Sequence, residues 1–69
     1  MREKAKEIIE GSIANIPVLF SEKDKVTEFA VVALSGEIAM TLRLGLIDEE
    51  EFEGYMRSLS ENFSKLSKY

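Results

Sequence analysis

Carboxylates are the side chains of this sequence that could most readily support catalysis or bind a metal ion. The chain has 69 residues, with 13 aspartates and glutamates but no histidine and no cysteine. Histidine is the commonest general base and metal ligand, and cysteine supplies thiolates and disulfides. Their absence excludes catalytic triads, zinc hydrolases and helical di-iron sites from this chain. Carboxylate-only chemistry remains, such as Mg²⁺ binding or catalysis by paired acids.

The acidic residues concentrate in one short segment. The acidic patch comprises Asp48, Glu49, Glu50, Glu51 and Glu53. It carries a charge of −5, whereas the rest of the chain sums to +1, which gives the net charge of −4. Such a patch could bind Mg²⁺, imitate nucleic-acid phosphates or dock a basic partner. It also lies at the start of a predicted helix, where acids complement the macrodipole, and we favour this solvated role.

Two pairs of glutamates have ExxE spacing, Glu7 with Glu10 and Glu50 with Glu53. This spacing resembles that of all-α pyrophosphohydrolases of the MazG type, which use such carboxylates to hold Mg²⁺. The resemblance implies a Mg²⁺-dependent nucleotide hydrolase if the two pairs converge. Glu7 and Glu10, however, lie on the polar side of the predicted first helix. We therefore predict no catalytic residue, no metal and no cofactor, and keep the hydrolase as a third alternative.

A single carboxylate, Glu37, stands inside the apolar run ALSGEIAM (residues 33–40). Its neighbours three and four residues away include no cation, so any ion pair must come from another helix or another chain. A buried carboxylate without a partner would have a raised pKa. We expect Glu37 to reach solvent at a helix edge; the alternative is that it sets the register of an interface.

Apolar periodicity predicts an all-α chain with helices at about residues 2–16, 22–44 and 49–67. The pair Ile16-Pro17 is expected to end the first helix, because a residue before proline avoids the α region. Short connections predict antiparallel neighbours and an up-down-up arrangement in a single domain, residues 1–69.

Capping signals mark the boundaries of the second and third helices. Ser21 is the predicted N-cap of the second helix, and Gly45 its left-handed C′ residue. Asp48 is the predicted N-cap of the third helix, with Glu51 completing a capping box. The segment GLIDEEEF resembles the turn of the short helical hairpin modules called SHOCT domains, over about residues 42–59. The basic pair that such modules carry further on is not matched, and no function is carried over.

The predicted second helix has more apolar surface than two neighbouring helices can cover. Its apolar side chains form two stripes spanning about 240°, whereas a surface helix needs about 100°. The first stripe holds Val26, Phe29, Ala30, Ala33, Met40 and Leu44; the second holds Val31, Leu34, Ile38 and Leu42. We expect dimerisation through this helix to cover the remainder. The alternatives are a monomer wrapped by residues 17–21 and the C-terminal tail, or a different protein partner.

The predicted interface includes a glycine at which two helices could approach closely. Ala30, Ala33 and Gly36 form a row of small residues, although Gly36 could instead mark a bend. The interface candidates are Val31, Leu34, Gly36, Glu37, Ile38 and Leu42.

These observations predict a non-enzymatic helical module for protein interaction or oligomerisation. The second hypothesis is an acidic inhibitor or decoy that docks on a basic, nucleic-acid-binding surface. Nine basic residues against 13 acidic ones argue against nucleic-acid binding. Glu37 and Arg43 interrupt the longest apolar stretch, so a membrane span is not expected. We expect a cytoplasmic protein whose partner is a second copy or another protein.

Overall fold

The computed structural model describes residues 1–66, and its regular structure is helical throughout. The helices are α1 (Arg2–Ala14), α2 (Ile16–Leu19), α3 (Lys25–Arg43) and α4 (Glu49–Ser64), and no β-strand lies between residues 1 and 66. The all-α prediction with three main helices is confirmed. None of the helices in this described part of the chain is long and apolar enough to cross a membrane.

The first helix ends earlier than predicted, and a short helix follows it. α1 stops at Ala14, and α2 begins at Ile16 with Pro17 in its first turn. Proline is accepted there because the first turn needs no backbone N–H donor from it. The predicted end at residue 16 was therefore wrong: Pro17 belongs to the start of α2 rather than marking the end of α1.

The start of α3 is set by Asp24, not by Ser21. The Asp24 carboxylate accepts a hydrogen bond from the Thr27 backbone N–H at 2.9 Å, as an N-cap does. The Thr27 hydroxyl lies 2.7 Å from the carbonyl oxygen of Glu22, to which it can donate, and its side chain is buried. Hydrogen bonds from Thr27 lower the pKa of Asp24. The predicted start at residue 22 is wrong because this buried threonine fixes the cap three residues later.

The turn between α3 and α4 follows the predicted chemistry. Gly45 has φ 75°, the Gly45 N–H donates to the Leu42 carbonyl, and the Leu46 N–H donates to the Thr41 carbonyl, both at 3.0 Å. This is the Schellman arrangement. At the next helix Asp48 accepts from the Glu51 N–H at 2.8 Å, and Glu51 accepts from the Asp48 N–H at 2.9 Å. Both predictions are confirmed. α4 ends at Ser64, and the predicted last residue, 67, lies outside the described residues.

The core is built from one face of each helix. α4 contacts the other three helices, and α1 also contacts α3. Ile38 of α3 and Leu59 of α4 are the largest side chains that are fully enclosed, together with the hydrogen-bonded Thr27. The buried apolar residues are Ile9, Ile13, Ile16, Leu34, Ile38, Ile47, Leu59 and Leu66. Ile8 of α1 lies outside this core and is exposed.

We expect Gly45→Ala to destabilise the chain by about 1–2 kcal/mol, because a Cβ disfavours the left-handed backbone. Gly54→Ala is the matched control: Gly54 lies inside α4, where a Cβ would meet open space. This control should raise stability by up to about 1 kcal/mol through helix propensity. Urea unfolding followed by circular dichroism measures both changes. Equal effects of the two substitutions would contradict the role given to the Gly45 backbone.

Candidate interaction surface

The surface of α3 that faces away from the core is largely apolar, with the exposed Lys25 and Arg43 at its two ends. Phe29 is 77% exposed, Val26 and Val32 are each 68% exposed, and Met40 and Leu44 are more than half exposed. With about 100° between successive residues, these five side chains fall within an arc of about 120°. Five large apolar side chains on one helix face are more than a scatter of single exposed residues. We call these residues, with Ala33 and Gly36 between them, the α3 outer face.

The predicted interface residues divide between the core and the surface. Leu34 and Ile38 are buried, and Val31 and Leu42 pack against the core from its edge. These four belong to the stripe that α1 and α4 cover within the chain. The uncovered stripe is the other one, around Phe29 and Met40. Four of the six predicted interface residues therefore belong to the core or its edge and not to the exposed apolar surface. The sequence could not distinguish the two stripes, because both are apolar and tertiary packing determines which one is covered.

Gly36 and Glu37 are the two predicted interface residues that lie on the surface. Gly36 is part of the α3 outer face, and a Cβ at this position would meet no atom of the chain within 4 Å. Glu37 is exposed at the border of the outer face, as expected for a carboxylate at a helix edge. Because the Glu37 carboxylate is exposed to solvent, it requires no neighbouring cation in the single chain.

A groove lies beside the α3 outer face, between α2 and α3. Its volume is about 350 Å³, and Leu19 of α2 forms part of one wall. On the α3 side, the groove is lined by the small side chains of Ala30 and Ala33 and by the carboxylate of Glu37. Leu19 is itself 71% exposed, so the apolar surface continues from α3 across the groove to α2. Sequence reasoning missed α2, because four residues carry too short a periodic pattern to predict a helix.

The acidic patch is partly engaged in holding helices together. Glu51 forms ion pairs with Lys6 and with Arg2, the latter at 3.4 Å, so it links the start of α1 to the start of α4. The hydrogen bond from Lys6, followed by that from the Asp48 backbone N–H, lowers the pKa of Glu51. Glu49, Glu50 and Glu53 point to solvent. Two of the five acids, Asp48 and Glu51, therefore help to form the start of α4.

The two pairs of ExxE glutamates do not converge in the described part of the chain. Among residues 1–66, no three acidic side chains come close enough together to hold one ion. Glu10 instead accepts a hydrogen bond from the Tyr55 hydroxyl at 2.7 Å, which joins α1 to α4. Burial, followed by this hydrogen bond, raises the pKa of Tyr55 to about 12. Glu10 and Tyr55 line a small pocket of about 170 Å³.

Comparison of the chain with protein-family models, with curated proteins and with solved structures found no match. The likeness of residues 45–52 to the SHOCT turn therefore stays confined to that turn.

We expect Glu51→Gln to lower stability at pH 7, because it removes the charge that pairs with Lys6 and Arg2. A carboxylate whose pKa is lowered by folding adds stability above its unfolded pKa, and this is lost as the pH falls through its folded pKa. The wild-type advantage should therefore shrink once the pH falls below about 4.5. Urea unfolding of both chains at a series of acidic pH values measures this difference in the free energy of unfolding.

Glu50→Gln is the control for this prediction, since it removes an exposed charge from the same turn of α4. Both substitutions weaken the interaction with the helix dipole, so the difference between them reports the ion pairs of Glu51 together with its charge-assisted hydrogen bond from the Asp48 N–H. Equal stability of the two variants at pH 7 would contradict the stabilising role given to the Glu51 charge.

Proposed function

We propose that this chain is a small non-enzymatic helical module that self-associates through the α3 outer face. One observation carries the proposal: five large apolar side chains lie more than half exposed on a single arc of one helix. In the assembly that we propose, α1, α3 and α4 run up, down and up, and a second copy covers the remaining side of α3. A two-fold dimer is the commonest closed form of such an assembly.

The free energy of burial favours association. Removing a Val, Leu, Phe or Met side chain from water contributes about 1.5–3 kcal/mol. A single domain of this size has a total stability of only about 3–5 kcal/mol from its own core. The five exposed side chains of α3 therefore represent a free energy comparable with that of folding. Pairing would recover much of it, which supports a dimer over a monomer.

The total surface area supports the same conclusion. The chain exposes 4905 Å², whereas a compact monomer of this mass exposes about 4,400 Å². The molecule measures 38 × 17 × 16 Å, and an elongated shape exposes more surface than a compact one of the same mass. A long, narrow molecule presents a continuous helix face to a partner.

The other candidate functions have less support. The acidic inhibitor would use residues 48–53, but Asp48 and Glu51 are already bonded to each other's backbone N–H in the capping box. A different protein partner could occupy the α3 outer face, and the experiment below separates it from a second copy. We propose a cytoplasmic module with no nucleic-acid or membrane partner.

Sedimentation equilibrium over a wide concentration range tests this function. We expect the wild-type chain to approach twice its monomer mass as its concentration rises. Phe29→Glu should abolish this increase, because it would place a charged carboxylate in the middle of the apolar interface. Helicity by circular dichroism should stay unchanged, since Phe29 is exposed in the single chain.

Ile8→Glu is the matched control, because Ile8 is a 58% exposed apolar residue on α1, outside the α3 outer face. This variant should associate like the wild-type chain. A wild-type chain that is monomeric at every concentration would refute self-association. Equal association of the Phe29 variant and the wild-type chain would refute the assignment of the face.

A further inference from the structure

The middle of the α3 outer face has a symmetric order of side-chain sizes. Ala33 and Gly36 are small and lie at its centre, and the larger Phe29 and Met40 flank them at equal distances along the helix. We infer that the occupant of this face is a second copy of the chain, bound with its α3 antiparallel and crossing at Ala33 and Gly36. This inference rests on the proposed function and specifies its geometry.

The antiparallel register follows from the spacing of these four residues. When Ala33 of one chain lies opposite the partner's Gly36, Phe29 lies opposite the partner's Met40, and the reverse holds by symmetry. Small residues at the crossing let the two backbones approach closely. Aromatic rings and methionine sulfur atoms make favourable contacts where the helices diverge. Each small residue thus meets a small one and each large residue a large one.

The helix macrodipoles favour the antiparallel direction over the parallel one. Antiparallel pairing opposes the two macrodipoles and sets Arg43, the basic residue of the last turn, beside residues 22–28 of the partner, which contain three acidic residues and two lysines. One of these lysines, Lys25, shares the outer face with Arg43, so the contribution of the side-chain charges is small. Parallel pairing would set the two Arg43 side chains together and align the helix macrodipoles.

The area that this pairing buries reaches what a specific dimer needs. Six side chains are more than half exposed on the α3 outer face or on the neighbouring wall of the groove: Leu19, Val26, Phe29, Val32, Met40 and Leu44. At about 80 Å² for each, they bury roughly 500 Å² per chain, or about 1,000 Å² in a symmetric pair. Specific interfaces begin at about 1,000–1,200 Å² of total buried area. A second copy therefore supplies a matching surface of the required size.

Cross-linking of engineered cysteines tests the direction of pairing, because the chain has no cysteine of its own. In the antiparallel pair, residue 26 of one chain lies within one residue of the partner's residue 44, whereas the two copies of residue 26 are about 25 Å apart. A bifunctional thiol reagent that spans about 10 Å, roughly one helix diameter, is added to Val26→Cys, to Leu44→Cys and to their mixture. We expect cross-linked dimers in the mixture and few in either variant alone.

A second measurement tests the crossing point. Gly36→Leu should raise the stability of the monomer, because leucine is the better helix former and open space surrounds this position in the single chain. The same change should weaken association at least tenfold, because the backbones can no longer approach. Gly54→Leu on α4 is the control, which should stabilise the fold and leave association unchanged.

The possible outcomes separate this inference from the function on which it rests. If the wild-type chain dimerises but each cysteine variant cross-links alone, the pairing is parallel and the inference is wrong while the function stands. A dimer that Gly36→Leu leaves intact would place the crossing elsewhere and overturn the inference too. Sedimentation that shows only monomer would overturn both.

Discussion

The packing of one stripe of α3 against α1 and α4 is the interaction on which the rest of the structure depends. Ile38 is completely enclosed and Leu34 nearly so, and Ile9 and Ile13 of α1 and Leu59 of α4 complete the cluster around them. A small chain can build only one such core. Because α3 is apolar on both sides, covering the Leu34 side leaves Phe29 and Met40 in water. The exposed face is thus a direct consequence of how the core forms.

Four carboxylates stabilise helix boundaries and helix contacts. Asp24 and Asp48 begin α3 and α4, and Glu51 closes the capping box while pairing with the basic residues of α1. Glu10 holds the Tyr55 hydroxyl across the contact between α1 and α4. These interactions matter in a chain without disulfides, because each cap or tie adds to a small total stability.

Much of this fold could be predicted from local chemistry, and the remainder depended on tertiary packing. Gly45 and the capping box were predictable because their hydrogen bonds involve residues no more than five apart. Ser21 and Asp24 both have side chains that suit an N-cap. Asp24 is the N-cap in the structure, where it bonds to the buried Thr27, and the burial of Thr27 cannot be read from the local sequence pattern. The covered stripe of α3 could not be chosen from sequence either, since Leu34 with Ile38 and Phe29 with Met40 are about equally apolar. The contacts of α3 with α1 and α4 show which stripe is covered.

The proposed pairing would make the stability of the chain depend on its concentration. A partner that binds only the folded state stabilises that state by mass action. The α3 outer face adds little to the stability of the monomer, because its side chains remain hydrated, yet it would add substantially once a second copy covers it. Glu37 fits this arrangement, because a carboxylate at the border of an apolar face can stay hydrated in the pair and oppose wider, irregular aggregation. Selection for association would then retain the apolar residues of the outer face, which the core of the single chain does not require.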